Sequence, residues 1–172
     1  GSVADLDALR ALDPTNLELR RVRTVTALAA SVDVPTARAA ASELLRTQAG
    51  NAQFLLLAGQ AEWALGNGAG AQQYFARAAA ADPRIINATY EQAGQFLQAG
   101  VPQMAYLQYS TVVWADQSMA GGYYGVGMSA AMLGPAFRPQ AIAALEQYLR
   151  FDPNSTYGLA AQKKLNELRN GQ

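Results

Sequence analysis

The 172-residue chain contains neither cysteine nor histidine. Zinc and copper sites, iron–sulfur clusters, cysteine nucleophiles and triads with a histidine base all need one of these side chains. Their absence excludes the most familiar catalytic and metal centres, so we expect no enzyme, no metal site and no cofactor. Without cysteine, the sequence gives no sign of the redox compartment either.

The chain also lacks net charge and long apolar runs. Thirteen basic residues balance thirteen acidic ones, whereas a surface for nucleic acid or anionic lipid needs a basic excess. No run approaches the roughly 18 apolar residues of a membrane span. We therefore expect neither nucleic-acid binding nor membrane insertion, and the location stays open between cytoplasm and periplasm.

Lysine is scarce, and the N-terminus carries no export signal. Only Lys163 and Lys164 are present among the thirteen basic residues, and this excess of arginine indicates a bacterial source. Gly1 and Ser2 resemble the remnant of a cleaved tag, so the missing signal says little about the natural protein.

What the chain has instead is a repeated pattern of helix ends. Gly66, Gly100 and Gly134 lie 34 residues apart, and each follows a stretch of helical length. Glycine suits this place because it adopts positive φ without a steric penalty. Other positions keep the interval, with two extra residues in the turn at 134–139: Gly59, Ala93 and Gly127; Ala71, Ala105 and Ala141; Phe75, Tyr109 and Leu145; Ala78, Val112 and Tyr148; Asp82, Asp116 and Asp152.

A 34-residue period in helix–turn–helix units is typical of tetratricopeptide repeats (TPR). Residues 52–85 match best, and their small, aromatic and proline residues stand where that family places them: Gly59, Ala61, Gly66, Ala71, Phe75, Ala78 and Pro83. From Val3 onward the chain therefore resembles the TPR family. Leu55 and Glu62 depart from the pattern, since tryptophan and an aromatic residue are usual there.

The resemblance implies an all-α fold, a right-handed superhelix of stacked antiparallel helix pairs that bury their apolar faces only by stacking. We predict one domain over residues 3–169: a partial repeat (3–16), four repeats (17–51, 52–85, 86–119 and 120–155) and a polar capping helix (156–169). Residues 170–172 form a tail. The partial repeat resembles the second helix of a pair, so we expect further repeats upstream in the natural protein.

Near the N-terminus the pattern gives individual helix bounds. We predict helices over Val3–Leu12, Leu17–Ser31 and Ala37–Gln48, with a turn over Val32–Thr36.

In the TPR family the first helices of the pairs line a concave groove that takes peptides and partner segments. The inward-facing pattern, carried over to this chain, gives Arg21, Val25, Leu28, Leu56, Gln60, Trp63, Asn87, Tyr90, Leu97, Tyr124, Met128 and Met132. The resemblance thus implies a protein-interaction scaffold that binds a partner peptide or helix. We expect Trp63, Tyr90, Leu97 and Tyr124 to make the contacts, although Trp63 and Tyr90 would also suit packing between helices.

Two other functions stay open. Residues 47–137 carry only six charged side chains, so arrays could associate with one another as homo-oligomers. The chain could also be an accessory or regulatory domain of a larger enzyme or secretion assembly.

One binding mode of the family is excluded. Some TPR arrays clamp a terminal carboxylate with basic and asparagine residues, and the matching positions here hold Arg21, Val25, Leu57, Asn87 and Glu91. Because Glu91 would repel a carboxylate, we reject this mode.

Four smaller features have a structural explanation and a functional one. Arg20, Arg21 and Arg23 suit either an acidic partner or a solvated face balanced by acids such as Glu18. The glycines at 121–127 superficially resemble a phosphate loop, but no strand precedes them, so close helix packing is preferred.

The other two features lie in turns. The aspartates at 82, 116 and 152 indicate turn and capping roles. Phe137 could fold back onto the array or contact a partner.

Overall fold

The computed structural model describes residues 2–170, which form ten α-helices, one 3₁₀ turn and no strand. The α-helices are α1 (Val3–Leu12), α2 (Leu17–Ala29), α3 (Val34–Thr47), α4 (Ala52–Ala64), α5 (Gly68–Ala81), α6 (Ile85–Gln98), α7 (Pro102–Ala115), α8 (Ala120–Met132), α9 (Arg138–Phe151) and α10 (Thr156–Arg169). The 3₁₀ turn is Pro135–Phe137. The predicted all-α class of stacked helix pairs is confirmed.

The helices fall into two compact units. Unit 1 extends to Ile85 and unit 2 begins at Ile86, so α1–α5 belong to unit 1 and α6–α10 to unit 2. Within each unit, helices that follow one another along the chain pack together. The single domain and its repeat bounds stay a prediction.

The helix ends follow the capping chemistry of the sequence. Asn16, Asn51, Asn67 and Ser155 each accept a hydrogen bond from a backbone N–H in the first turn of the helix that follows. These bonds satisfy donors that have no partner inside the helix.

One predicted turn was placed wrongly. Helix α2 ends at Ala29 rather than Ser31, and α3 begins at Val34 rather than Ala37. Ser31 has φ 53°, the left-handed conformation that Gly66 adopts at φ 78° after α4. The turn therefore closes three residues earlier than the proline pattern predicted, and Pro35 lies inside the first turn of α3, where its missing N–H is harmless.

The repeated small and large residues of the second helices form the core. Ala37, Ala41 and Leu44 of α3 are fully buried, and so are Ala71, Phe75 and Ala78 of α5. In unit 2, Ala105, Tyr109 and Val112 of α7 and Ala141, Leu145 and Tyr148 of α9 are buried in the same way. The period predicted from the sequence thus marks the positions at which helix pairs bury their apolar faces.

The first helices of the two units differ in bulk. Helix α4 is buried on every side from Phe54 to Glu62 and contacts α2, α3 and α5. Helix α8 instead carries Gly121, Gly122, Gly125 and Gly127. A Cβ at Gly127 would lie 2.6 Å from the Leu145 side chain, so these glycines permit close packing, as expected.

Candidate partner-binding surfaces

Five tyrosines from α6 to α10 gather in unit 2, and we call them the tyrosine cluster: Tyr90, Tyr109, Tyr124, Tyr148 and Tyr157. The ring centroid of Tyr124 lies 5.2 Å from that of Tyr148 and 5.3 Å from that of Tyr157. The ring centroids of Tyr90 and Tyr109 lie 5.6 Å apart. All three pairs are edge-to-face, an arrangement that adds about 0.5–1.5 kcal/mol per pair to the burial of the rings.

The tyrosine cluster has a buried layer and an accessible one. Tyr109 and Tyr148 are buried, Tyr90 and Tyr124 are half-buried, and 63% of the Tyr157 side chain is exposed. The three accessible rings stand on α6 and α8, the first helices of their pairs, and on the capping helix α10. An accessible aromatic surface is thus supported from below by rings that fix it in place.

Glycines in α8 make room for the rings. A Cβ at Gly121 would lie 2.5 Å from the Tyr90 hydroxyl, and a Cβ at Gly125 would overlap the Tyr109 ring. Only glycine permits these approaches without movement of the rings. The glycine-rich stretch of α8 and the tyrosine cluster are therefore one arrangement.

Three tyrosines of the cluster have a raised pKa, and burial is the main cause for each. Burial raises the pKa of Tyr109 to about 12, and the neighbouring Tyr90 and Tyr124 make smaller contributions in the same direction. Burial is also the main cause of the raised pKa of Tyr90 and of Tyr124. The raised pKa keeps the hydroxyls of Tyr90, Tyr109 and Tyr124 protonated at neutral pH, and those of the accessible Tyr90 and Tyr124 can donate hydrogen bonds to a partner.

The sequence prediction missed Tyr157, although its period contains the signal. Tyr157 follows Gly121 by 36 residues, and Gly121 follows Asn87 by 34, the same steps that relate the repeats. Asn87 was a predicted groove residue, so extending the pattern to the capping helix would have found Tyr157. Tyr157 was missed because the polar residues of α10 indicated only a capping helix.

The predicted groove residues of unit 2 occupy varied environments. Asn87 is exposed, Leu97 is half-buried against the core of α6 and α7, and Met128 is half-buried beside the core of α8 and α9. Met132 is 52% exposed. These residues flank the accessible tyrosines and stay predicted contacts.

In unit 1 the structure buries most of the predicted groove. Val25, Leu28, Leu56 and Gln60 are each no more than 7% exposed, and α2 contacts α4 directly. Trp63 is half-buried. These four buried side chains pack inside the unit, which leaves Trp63 and Arg21 as its accessible predicted contacts.

The arginines of α2 do not form one basic face. Arg21 donates through Nε to Glu18 Oε2 at 2.8 Å, and Arg23 donates through Nε to Asp7 Oδ1 at 3.1 Å. The hydrogen bond from Arg21 lowers the pKa of Glu18. The interpretation in which acids balance these arginines is confirmed for Arg21 and Arg23.

Glu62, which does not fit the TPR pattern, joins three helices of unit 1. It is 7% exposed, and its Oε1 accepts from Arg38 Nε of α3 at 2.6 Å. Its Oε2 accepts from Asn67 Nδ2 at 2.7 Å, while Asn67 Oδ1 accepts from the N–H of Gly70 in α5. Burial alone would raise the pKa of Glu62, but the hydrogen bonds from Arg38 and Asn67 outweigh it and lower the pKa.

The turn aspartates act as predicted. Asp82, Asp116 and Asp152 each accept a backbone N–H two or three residues ahead, at 2.9–3.2 Å. Phe137 folds back, with its ring centroid 5.3 Å from that of Tyr106.

Over the range that the structure describes, no group of three or more acidic side chains could hold a metal ion. Within residues 2–170, no helix has the length and apolarity to cross a membrane.

The stacked helix pairs define this chain as a helical repeat protein. No family model matches the sequence, and no curated protein matches it. MamA from Desulfovibrio magneticus RS-1 is among the similar solved structures, with 18% identity over 90% of this chain and 93% of that one, and a TM-score of 0.42.

Two further similar structures are described as TPR proteins. YrrB, a TPR protein with an unusual peptide-binding site, shows 19% identity over 94% of this chain and 81% of that one, with a TM-score of 0.45. The TPR2AB domain of yeast Sti1 in complex with pHSP90 shows 12% identity over 98% and 82%, with a TM-score of 0.40.

Proposed function

We propose that this chain is a protein-interaction scaffold and that the accessible tyrosines of unit 2 bind a partner peptide or helix. The observation that carries the proposal is the layered tyrosine cluster, in which Tyr90, Tyr124 and Tyr157 lie over Tyr109 and Tyr148. Tyrosine offers a large contact area with little side-chain entropy to lose, which makes it a frequent anchor in interfaces.

The charge around the tyrosines supports a largely apolar partner segment. Helices α6 and α8 together carry one charged residue, Glu91, which is exposed. A partner therefore meets rings, methionine and amide side chains, and the tyrosine hydroxyls can donate to its backbone carbonyls. Such a surface favours apolar anchors with a few hydrogen bonds over ion pairing.

Peptide binding is described for YrrB, and a complex with pHSP90 for the Sti1 domain; both are properties of those proteins. The support for a similar role here comes from the tyrosine cluster itself. Asn87, Leu97 and Met128 belong to the proposed surface in unit 2, and Trp63 and Arg21 are proposed contacts in unit 1.

The test is a selection of random displayed peptides against the full chain, followed by affinity measurement on variants. Tyr157→Ala should weaken the selected peptides about tenfold, the loss expected of an interface anchor. Because Tyr157 is largely exposed, this change leaves the core intact. Tyr74→Ala in unit 1, where the Tyr74 ring lies against the Arg77 guanidinium group, is the matched control.

The proposal fails if no peptide is enriched. It fails equally if the enriched peptides bind Tyr157→Ala and the Tyr74→Ala control with the same affinity as the original chain.

Self-association is a second candidate, favoured by exposed leucines at the two ends of the chain. Leu12 of α1 is 84% exposed and Leu159 of α10 is 66% exposed. Light scattering over a concentration series tests this candidate, and a constant monomer mass would exclude it.

A further inference from the structure

Unit 1 contains a hollow where α1, α2 and α3 meet. Its volume is about 110 Å³, and its walls are Arg10, Arg20, Arg23, Thr24, Thr36, Ala40 and Glu43. A second hollow of about 290 Å³ adjoins it and shares Arg10 and Arg20. Three guanidinium groups thus line one concave site, and Arg10 reaches it from a different helix than the other two.

The three arginines differ in how closely a carboxylate holds them. Arg23 is held by Asp7 through two hydrogen bonds at 3.1 and 3.3 Å. The contact of Arg10 with Asp7 is 3.7 Å and that of Arg20 with Glu43 is 3.9 Å, and both exceed the length of a hydrogen bond. The guanidinium groups of Arg10 and Arg20 are therefore positioned but weakly engaged by carboxylates.

The backbone keeps Arg20 in place. Its Nε donates to the carbonyl oxygen of Pro14 at 3.0 Å, in the turn between α1 and α2. This bond leaves the two terminal nitrogens of the guanidinium group available to a ligand. An arginine already ordered by one hydrogen bond loses less entropy when it forms the next.

The charge of the site favours an anion. Three guanidinium groups face two carboxylates, Asp7 and Glu43, which leaves an excess of one positive charge. Arg20 is 34% exposed and Arg23 12% exposed, so solvent screens them less than a surface pair.

We propose that this hollow binds a phosphate group, either free inorganic phosphate or the phosphate of a phosphorylated side chain. The forked guanidinium group matches phosphate oxygens in pairs, and clusters of arginine are a common means of recognising phosphorylated segments. When phosphate binds, Arg10 and Arg20 contact its oxygens in place of the distant carboxylates of Asp7 and Glu43. The Arg23–Asp7 pair remains and holds α1 against α2. The Thr36 hydroxyl on the wall supplies a further donor.

The experiment is calorimetric titration of the full chain at low salt with inorganic phosphate, with a short phosphoserine peptide and with the same peptide unphosphorylated. Saturable binding of phosphate or of the phosphopeptide, but not of the unphosphorylated peptide, is expected. Tighter binding of the phosphopeptide identifies a modified protein as the source, whereas equal or tighter binding of inorganic phosphate identifies the free ion.

Variants locate the site. Arg10→Gln with Arg20→Gln should weaken phosphate binding at least about tenfold, because each charge-assisted hydrogen bond is strong. Arg84→Gln is the matched control: Arg84 also lies in unit 1 but contacts Asp82 outside the hollow, so binding should persist.

Glu43→Gln separates binding from folding, because it removes the competing carboxylate and should tighten binding several-fold. Loss of stability cannot produce that increase. The proposal is overturned if neither form of phosphate binds the original chain. It is also overturned if Arg84→Gln weakens binding as much as the double variant, or if Glu43→Gln leaves the affinity unchanged.

Discussion

Helix α4 of unit 1 and helix α8 of unit 2 carry side chains of different size at corresponding positions. In unit 1 the first helix is bulky: Leu57 of α4 is buried beside a second helix of alanines around Phe75. In unit 2 the position two periods later is Gly125 of α8, and the Tyr109 ring of α7 occupies the space that a side chain would fill. The space between neighbouring helices can therefore be filled by side chains from either helix.

The polar contacts differ as well. Over residues 2–170, seven ion pairs lie in unit 1 and two in unit 2. In the described part of unit 2, five contacts join aromatic rings of tyrosine and phenylalanine. We therefore expect the units to respond differently to added volume, to loss of a carboxylate and to pH.

The largest effect is expected from Gly125→Ala. The added methyl group would overlap the Tyr109 ring, and such overpacking destabilises by about 1–3 kcal/mol, against a gain of about 1 kcal/mol in helix propensity. Three atoms of the Tyr109 ring would lie within 2.5 Å of the new Cβ, so we expect the upper end of that cost. The net loss in the free energy of unfolding should then be about 2 kcal/mol, measured by urea denaturation.

Gly94→Ala is the matched control for this change. Its Cβ would approach the same tyrosine only at the hydroxyl, at 3.4 Å, so this variant should equal the original chain or exceed it. Equal stability of the two variants would contradict the idea that Tyr109 fills the space at Gly125.

A smaller effect is expected from Glu62→Gln in unit 1. This change removes the charge that accepts hydrogen bonds from Arg38 and Asn67, which lowers the unfolding free energy by about 1 kcal/mol. Arg38 is 54% exposed, so water partly replaces the lost partner.

Glu146→Gln in unit 2 provides the comparison. Its pair with Arg169 is exposed on both sides, so the expected loss is below about 0.5 kcal/mol. If both variants lose equally little, Glu62 does not hold α3 and α4 together.

The smallest effects are expected at the two ends of the pH scale. The pKa of Glu62 is lowered in the folded chain. The Glu62 carboxylate therefore stabilises the fold above its unfolded pKa of about 4.3, and this stabilisation is lost as the pH falls below that value. The pKa of Tyr109 is raised to about 12, so its contribution is complete below the unfolded value of about 10 and is lost as pH rises from there.

Urea midpoints across the pH range test both directions. Glu62→Gln should reduce the slope of the urea midpoint against pH on the acid side only, and Tyr109→Phe should reduce it on the alkaline side only. A single variant that flattened both sides would contradict the assignment of these responses to separate units.

The sequence predicted much of the fold because its constraints repeat. The fully buried Ala71, Phe75 and Ala78 recur at a fixed period, and each copy confirms the others. The positive φ of Gly66 and Gly100 was predictable for the same reason. The turn at Ser31 was placed wrongly because serine gives no sign of a left-handed conformation, although it occupies the place that glycine takes elsewhere.

The candidate surfaces were less predictable because they depend on contacts that do not repeat. Glu62 departed from the pattern, and only the positions of Arg38 and Asn67 explain it. Tyr157 stood on a helix recognised as a polar cap. The hollow in unit 1 needed Arg10, which the sequence places on a separate helix from Arg20.

The amide of Asn67 has two unlike ends, and each has its own partner: the nitrogen faces Glu62 and the oxygen faces the start of α5. Gly68 follows directly, and an asparagine before glycine is the kind most prone to lose its amide nitrogen as ammonia. Such chemical ageing would replace the donor by an oxygen and set two carboxylates against each other. One spontaneous reaction at a turn would then act on α4 and α5 together, without any change in the encoded sequence.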